Sequence, residues 1–168
     1  MNMTNLPQLT EEDIQKLDET LHDFITKADA SAALVIDEAG FLIAQQGDMG
    51  GFDLTSIGAL ASGAFMASQA IANLVNEKNF NCIYQQGENF SLLVTNVDEH
   101  CMLIVIFKSE TGVGVVKYYA TTTVKLISRQ LKISRKRTPS EGIDLSTFNV
   151  TDTQNVFHRK ESGEKKRR

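Results

Sequence analysis

Cysteine is scarce, with two in 168 residues, and neither Cys82 nor Cys101 belongs to a CxxC pair or stands near clustered histidines. That excludes a disulfide scaffold and the common structural zinc spacings. Both thiols lie in strand-like apolar runs and are expected to be buried and reduced. No basic segment followed by an apolar one appears in MNMTNLPQLTEED, so no signal peptide is expected and the chain is assigned to the cytoplasm. The pattern offers no nucleophile–base pair, no metal-ligand spacing and no facing pair of carboxylates. The reading is therefore of a protein that is not an enzyme, with no catalytic, cofactor or metal residues to assign. Arginine is nearly missing from residues 1–131, where Arg129 stands alone.

Charge is also missing where it would be most expected on a surface helix. Between Asp53 and Glu77 no charged residue occurs, a run long enough for about six helical turns. Leu54, Ile57, Leu60, Ala61, Ala64, Phe65, Ile71, Ala72 and Val75 share one broad face, the stripe expected on a core. The other side carries Ala59, Gly63, Met66, Ala67 and Ala70 with a polar strip of Thr55, Ser62, Gln69 and Asn73. A helix apolar or small nearly all round needs a second partner, so it is read as packing on its own sheet and on another protein surface. A membrane span is set aside because Ser, Asn, Gln and two glycines dilute the run and no positive flank anchors it. A wholly internal core helix of a larger domain fits poorly with so short a chain.

What the chain does have is opposite charge on body and tail. Residues 1–131 hold 7 basic and 16 acidic side chains, net −9, whereas residues 132–168 hold 10 basic and 5 acidic, net +5. At this length one domain with an appendage is expected. Residues 1–9 read as an N-terminal extension, 10–131 as the domain and 132–168 as a basic, flexible tail.

Along the chain, Thr10 is placed to cap a helix over residues 11–28, with acids in its first turn and Ile14, Leu17, Leu21, Phe24, Ile25 and Ala28 at helical spacing. Ala32–Ile36 and Phe41–Gln46 form a hairpin whose turn uses Gly40. After the central helix, capped by Asp53, come Cys82–Gln86, Phe90–Val97 and Cys101–Phe107. The run CMLIVIF is continuously apolar and so belongs in the middle of a sheet, while NCIYQQG is short and polar and belongs at an edge. A last helix begins at TGVG, residues 111–114. Neither this stretch nor Gly47, Gly50 and Gly51 matches a phosphate-binding loop. The element order is helix, two strands, helix, three strands, helix. A central strand that apolar needs helices on both faces, so the fold class is a three-layer α/β (α+β) arrangement around a five-stranded antiparallel sheet.

The hairpin with Asp37, Gly40 and Ile43-Ala44, the helix IGALASGAFMASQAI, the QGENFSLLV hairpin and the passage ending in Thr111-Gly112-Val113-Gly114 resemble the roadblock (dynein light chain) family over roughly residues 10–131. Those residues determine a fold and are no catalytic signature. The resemblance implies a sheet order of 2-1-5-4-3, with the terminal helices on one face and the middle helix on the other. It further implies a homodimer in which the third strands pair edge to edge and the middle helices meet, forming a platform for a small Ras-like GTPase. Prokaryotic members of this type commonly act beside such a GTPase, as an activating or positioning partner.

Residues and resemblance meet at one surface. Ala59, Gly63, Met66, Ala67 and Ala70 are small or pliant enough for a second helix to approach. Together with Cys82 and Tyr84 on the edge strand they are the expected dimer interface, and Thr55, Ser62, Gln69 and Asn73 the expected partner platform. The alternative is a dimeric scaffold or adaptor for another protein complex. A small-molecule sensor fits less well because the pattern shows no convergent polar set. With Arg129 alone in the body, the platform is expected to lack an arginine to lend to a GTPase. Pro139 and Gly142 break any helix continued from Leu131, and Ile143, Leu145, Phe148 and Val150 suffice to dock a short segment but not to fold alone. The tail's basic residues lack interleaved aromatics, which counts against nucleic acid.

Overall fold

A computed structural model describes residues 8–48 and 50–137. Helix α1 (Glu11–Ala28) leads to strands β1 (Ala32–Asp37) and β2 (Leu42–Gly47), helix α2 (Leu54–Leu74), strands β3 (Cys82–Gln86), β4 (Phe90–Asn96) and β5 (Cys101–Lys108), and helix α3 (Val113–Arg135). The five strands form one antiparallel sheet in the order β2-β1-β5-β4-β3. Element order and sheet order both agree with expectation.

The alternation of β5 divides the core. Cys101, Leu103, Val105 and Phe107 face one side of the sheet, where they meet Leu17, Leu21 and Phe24 of α1 and Val116, Ile127 and Leu131 of α3. Met102, Ile104 and Ile106 face the other, against Ala61 and Phe65 of α2. Burial on both faces explains why this strand has no polar residue before Lys108. β3 occupies one edge, as its polarity predicts.

α1 opens with Thr10 as the N-cap its sequence predicts, and Asp13 closes the cap into a capping box: the Thr10 amide donates to Asp13 Oδ2 at 2.8 Å, and the Asp13 amide to Thr10 Oγ1 at 3.3 Å. Asp13 is wholly buried, and there Gln130 Nε2 donates to its Oδ1 at 2.5 Å and Arg137 pairs with its Oδ2. Burial opposes ionisation, yet Arg137, Thr10 and Gln130 together hold the carboxyl well below the usual aspartate range. A second pair joins Arg135 Nη1 to Asp98 Oδ2 at 2.6 Å, beside the turn from β4 to β5.

These two pairs correct the expected boundary. α3 continues four residues past Leu131, and Arg135 and Arg137, counted in the tail by composition, are fastened to the body. Leu9, counted in the N-terminal extension, is 1% exposed and part of the core. The Pro139 and Gly142 breaks and the order of residues 138–168 lie outside the described residues.

Candidate protein-interaction surface

α2 starts where Asp53 accepts from the Ser56 amide at 3.1 Å and from its hydroxyl at 2.5 Å, bonds that keep the Asp53 carboxyl below its ordinary value. The helix lies on the sheet through Gly58, Ala61, Ser62, Phe65 and Ala72, all buried. Near its start, Phe52 meets Phe90 edge to face, with ring centroids 5.7 Å apart.

Two residues expected on an outward polar strip turn inward instead. The Ser62 hydroxyl donates 2.5 Å to the Glu38 carbonyl, and Ser62 is 5% exposed. Gln69 grips the backbone of Phe80 twice, its Nε2 donating to the carbonyl at 2.8 Å and its Oε1 accepting from the amide at 3.1 Å. Ser62 fastens α2 to the β1–β2 hairpin, and Gln69 fastens it to the loop that leads into β3. Thr55 and Asn73 remain exposed.

The apolar stripe is also narrower than its sequence pattern. Leu60, Ala64, Ile71 and Val75, expected on the sheet, are exposed: Leu60 by 73%, Ile71 by 53% and Val75 by 57%. The physical reason is that the proposed stripe spanned ~140° of arc between Leu60 and Phe65 at 100° per residue, and only the Phe65 side reaches the sheet. With no charge to mark the solvent side, sequence could not fix the helix's rotation. The small residues Ala59, Gly63, Met66, Ala67 and Ala70 are exposed as expected, so the outward face is a continuous uncharged surface in which Leu60, Ile71 and Leu74 are the large members.

On the edge strand the structure separates the expected interface residues. Cys82 packs with the core beneath α1 and α3, and Tyr84 stacks on Phe107 at 6.2 Å, so both point away from α2. Ile83 is the β3 side chain on the α2 side of the sheet. It was missed because alternation alone does not say which face of a half-polar edge strand looks towards which helix.

Among the described residues no group of three or more His, Cys, Asp or Glu is placed to hold a metal ion. Cys101 sits beside Arg135, whose Nη2 lies 3.1 Å from its sulfur, and burial with the nearby Asp98 charge pushes the thiol up to about 12. Arg129 is exposed on α3, across the sheet from α2.

No curated protein sequence matches the chain. Among solved structures, MglB of Myxococcus xanthus superposes with a TM-score of 0.70 at 26% identity, covering 77% of this chain and 98% of that one. The gliding protein MglB of Thermus thermophilus gives 0.70 at 26% identity, with 76% and 96% covered. An MglB with a tetrameric arrangement gives 0.72 at 25% identity, again with 76% and 96% covered. The sequence profile of the Roadblock/LC7 domain matches residues 16–107, from the first turns of α1 through β5. The chain belongs to the Roadblock/LC7 domain family.

Proposed function

We propose that this protein is a homodimeric regulatory module, working in the cytoplasm, that binds a small Ras-like GTPase through a platform formed where two copies of α2 meet. The observation that carries this reading is the outward face of α2. Across 21 residues it holds no charge, and it leaves Leu60 and Leu74 73% and 82% exposed. A lone monomer gains nothing from such a face, and water penalises it. The open edge of β3 adds backbone donors and acceptors to the same side of the molecule. The interface comprises Ala59, Gly63, Met66, Ala67 and Ala70, extended by Leu60, Ile71, Leu74 and Ile83, while Cys82 and Tyr84 contribute through the strand backbone.

Thr55 and Asn73 flank that seam and are the platform's polar contacts. Any stimulation of GTP hydrolysis acts by arranging the GTPase's own residues, because Arg129, Arg135 and Arg137, the arginines among the described residues, all stand on or just past α3, across the sheet from α2. By length and composition α2 would suffice to cross a membrane. Ser62, Gln69 and Phe65, all engaged on the sheet side, support packing in a water-soluble dimer instead.

Co-purification of the chain with a Ras-like GTPase loaded with a GTP analogue or with GDP tests the proposal. Preference for one nucleotide state is the expected result. Equal binding to both would remove the regulatory reading and leave a dimeric adaptor. Arg129→Ala is expected to leave binding and any stimulation of hydrolysis unchanged.

A further inference from the structure

The outer side of α3, across the sheet from α2, concentrates positive charge. From Thr111 to Arg137 the chain carries seven Lys and Arg and no acid. Arg135 and Arg137 are engaged by Asp98 and Asp13. Lys125, Arg129 and Lys132 are not, and none of the three forms an ion pair or hydrogen bond with a described residue. α1 behaves differently. Its exposed Lys16 and Lys27 each pair with an acid one turn earlier, which α3 cannot offer because it has no acid.

Lys125, Arg129 and Lys132 follow one another at helical spacing, which sets them on one flank of α3 within about 10 Å at 1.5 Å per residue. Together with Ser128 they rim a hollow of about 420 Å³ whose apolar lining is Val97 and Val124. No α1 residue lines it. Val97 is steadied by its neighbour, since Asp98 pairs with Arg135, one turn along from Lys132, at 2.6 Å. The part of the wall that comes from the β4–β5 turn is thus fixed before any ligand arrives.

Ser128 adds an independent observation. Elsewhere on α3, Thr121 and Ser134 donate their hydroxyls to the carbonyl four residues back, at 2.9 and 3.1 Å. Ser128 is half-buried yet makes no such bond, nor any other with a described residue. Its hydroxyl remains on offer at the rim.

We infer that this hollow binds a small, water-soluble phosphate ester: Lys125, Arg129 and Lys132 hold the phosphate group, Ser128 donates a further hydrogen bond, and the organic part covers Val97 and Val124. Lys and Arg donate and cannot accept, so the ligand supplies acceptors. Three cations this close repel one another. A phosphate monoester, with about −1.5 to −2 charges and three terminal oxygens, offsets that repulsion better than a single carboxylate can. Arg129 presents a planar fork suited to two of those oxygens, while the lysines act as point charges. The volume falls within the range of about 300–1,000 Å³ usual for small-molecule sites. An anionic membrane fits worse, because Glu12, Glu19 and Asp23 are exposed on the neighbouring helix and residues 1–131 carry net −9. No residue of α2 or β3 takes part, so the inference stands apart from the GTPase reading.

Isothermal titration calorimetry of the full-length protein at constant ionic strength tests this, with phenyl phosphate as the probe. The expected result is saturable binding, tighter than that of inorganic phosphate because the ring covers the two valines. Lys125→Gln, Arg129→Gln and Lys132→Gln should each weaken it roughly tenfold, and Ser128→Ala about fivefold, with helix content by circular dichroism unchanged. Lys117→Gln, on the same helix but outside the hollow, should leave it as it was. The inference is overturned by a lack of saturable binding, by binding indifferent to the four substitutions, or by an equal loss with Lys117→Gln. Citrate binding as tightly as phenyl phosphate would reduce the rim to a general attractor of anions and overturn it too, as would a response confined to vesicles containing phosphatidic acid.

Discussion

Gly40 and Gly58 meet backbone to backbone, so closely that a β-carbon on Gly58 would lie 2.6 Å from the Gly40 carbonyl oxygen. Gly40 also holds a φ of +89°, the conformation its hairpin turn requires, and a β-carbon there would lie 2.7 Å from the Ala59 α-carbon. One turn further along α2, Ser62 donates to the Glu38 carbonyl of the same hairpin. The hairpin tip and the first half of α2 are thus joined by backbone contact, which fixes the height and rotation of the helix and hence which side chains face outward.

Gly58→Ala is therefore expected to destabilise the fold by roughly 1–3 kcal/mol, the cost of forcing a methyl group against backbone that has no room to yield. Gly114→Ala, in the first turn of α3 and away from the proposed seam, is the matched control. Nothing lies within 4 Å of a β-carbon built there, and the helix gains about 0.5–1 kcal/mol from losing a glycine. Urea unfolding of both variants should show shifts of opposite sign. Equal shifts would mean that helix propensity alone, and not the Gly40 contact, governs position 58.

The pairing of Asp13 with Arg137 predicts a pH dependence. Because the folded-state carboxyl lies below its ordinary value of about 4, the unfolded chain takes up this proton first as pH falls. The contribution is fully present above about pH 4 and is lost as pH drops through the folded-state value. Urea midpoints measured from pH 7 downward should hold steady and then fall in this window. Asp13→Ala should lower the stability at pH 7 by about 2 kcal/mol or more, through loss of the cap and charged hydrogen bonds, and should flatten that fall.

Arg135 balances Asp98, whose side chain is 8% exposed and also accepts from the His100 amide at 2.9 Å. Burial opposes the charge of Asp98, while Arg135 and the backbone donors hold its carboxyl below the usual range. Arg135→Met is expected to cost about 3 kcal/mol, because it leaves a buried carboxylate without its cation. The same site keeps the Cys101 thiol protonated. In the native protein Cys101 should therefore resist a thiol-specific reagent at pH 8 and react only on unfolding. Rapid labelling of Cys101 in the folded state would show that the β5 end of the core opens.

The order of elements and the place of β5 were legible in the sequence because they rest on strong patterns: a helix-capping residue at Thr10, a glycine turn at Gly40 and a strand with no polar residue. The rotation of α2 was not, because a helix without charge has no marked solvent side. Ser62 and Gln69 show the consequence, since polar side chains on such a helix serve either a partner or the chain's own loops, and only the positions of Glu38 and Phe80 decide between them. Arg135 and Arg137 were hidden for a related reason. Composition groups them with a basic tail, whereas their partners Asp98 and Asp13 lie 37 and 124 positions away.

Gly63 offers the sharpest test of the proposed dimer. It sits on the outward face of α2 with open space around it, so a larger side chain there meets nothing within its own protomer. Leu is also a better helix former than Gly, so Gly63→Leu should leave the monomer's helix content unchanged or slightly raised. If two copies of α2 approach over this residue, the added side chain must hold the helices apart, and light scattering should show dissociation at concentrations where the unsubstituted protein is dimeric. Leu60→Asp and Leu74→Asp, at positions 73% and 82% exposed, should have the same effect by placing carboxylates in the seam. An unsubstituted protein that is monomeric at micromolar concentration, or a dimer indifferent to all three changes, would remove α2 from the interface. The platform proposed for the GTPase would then have to lie elsewhere on the fold.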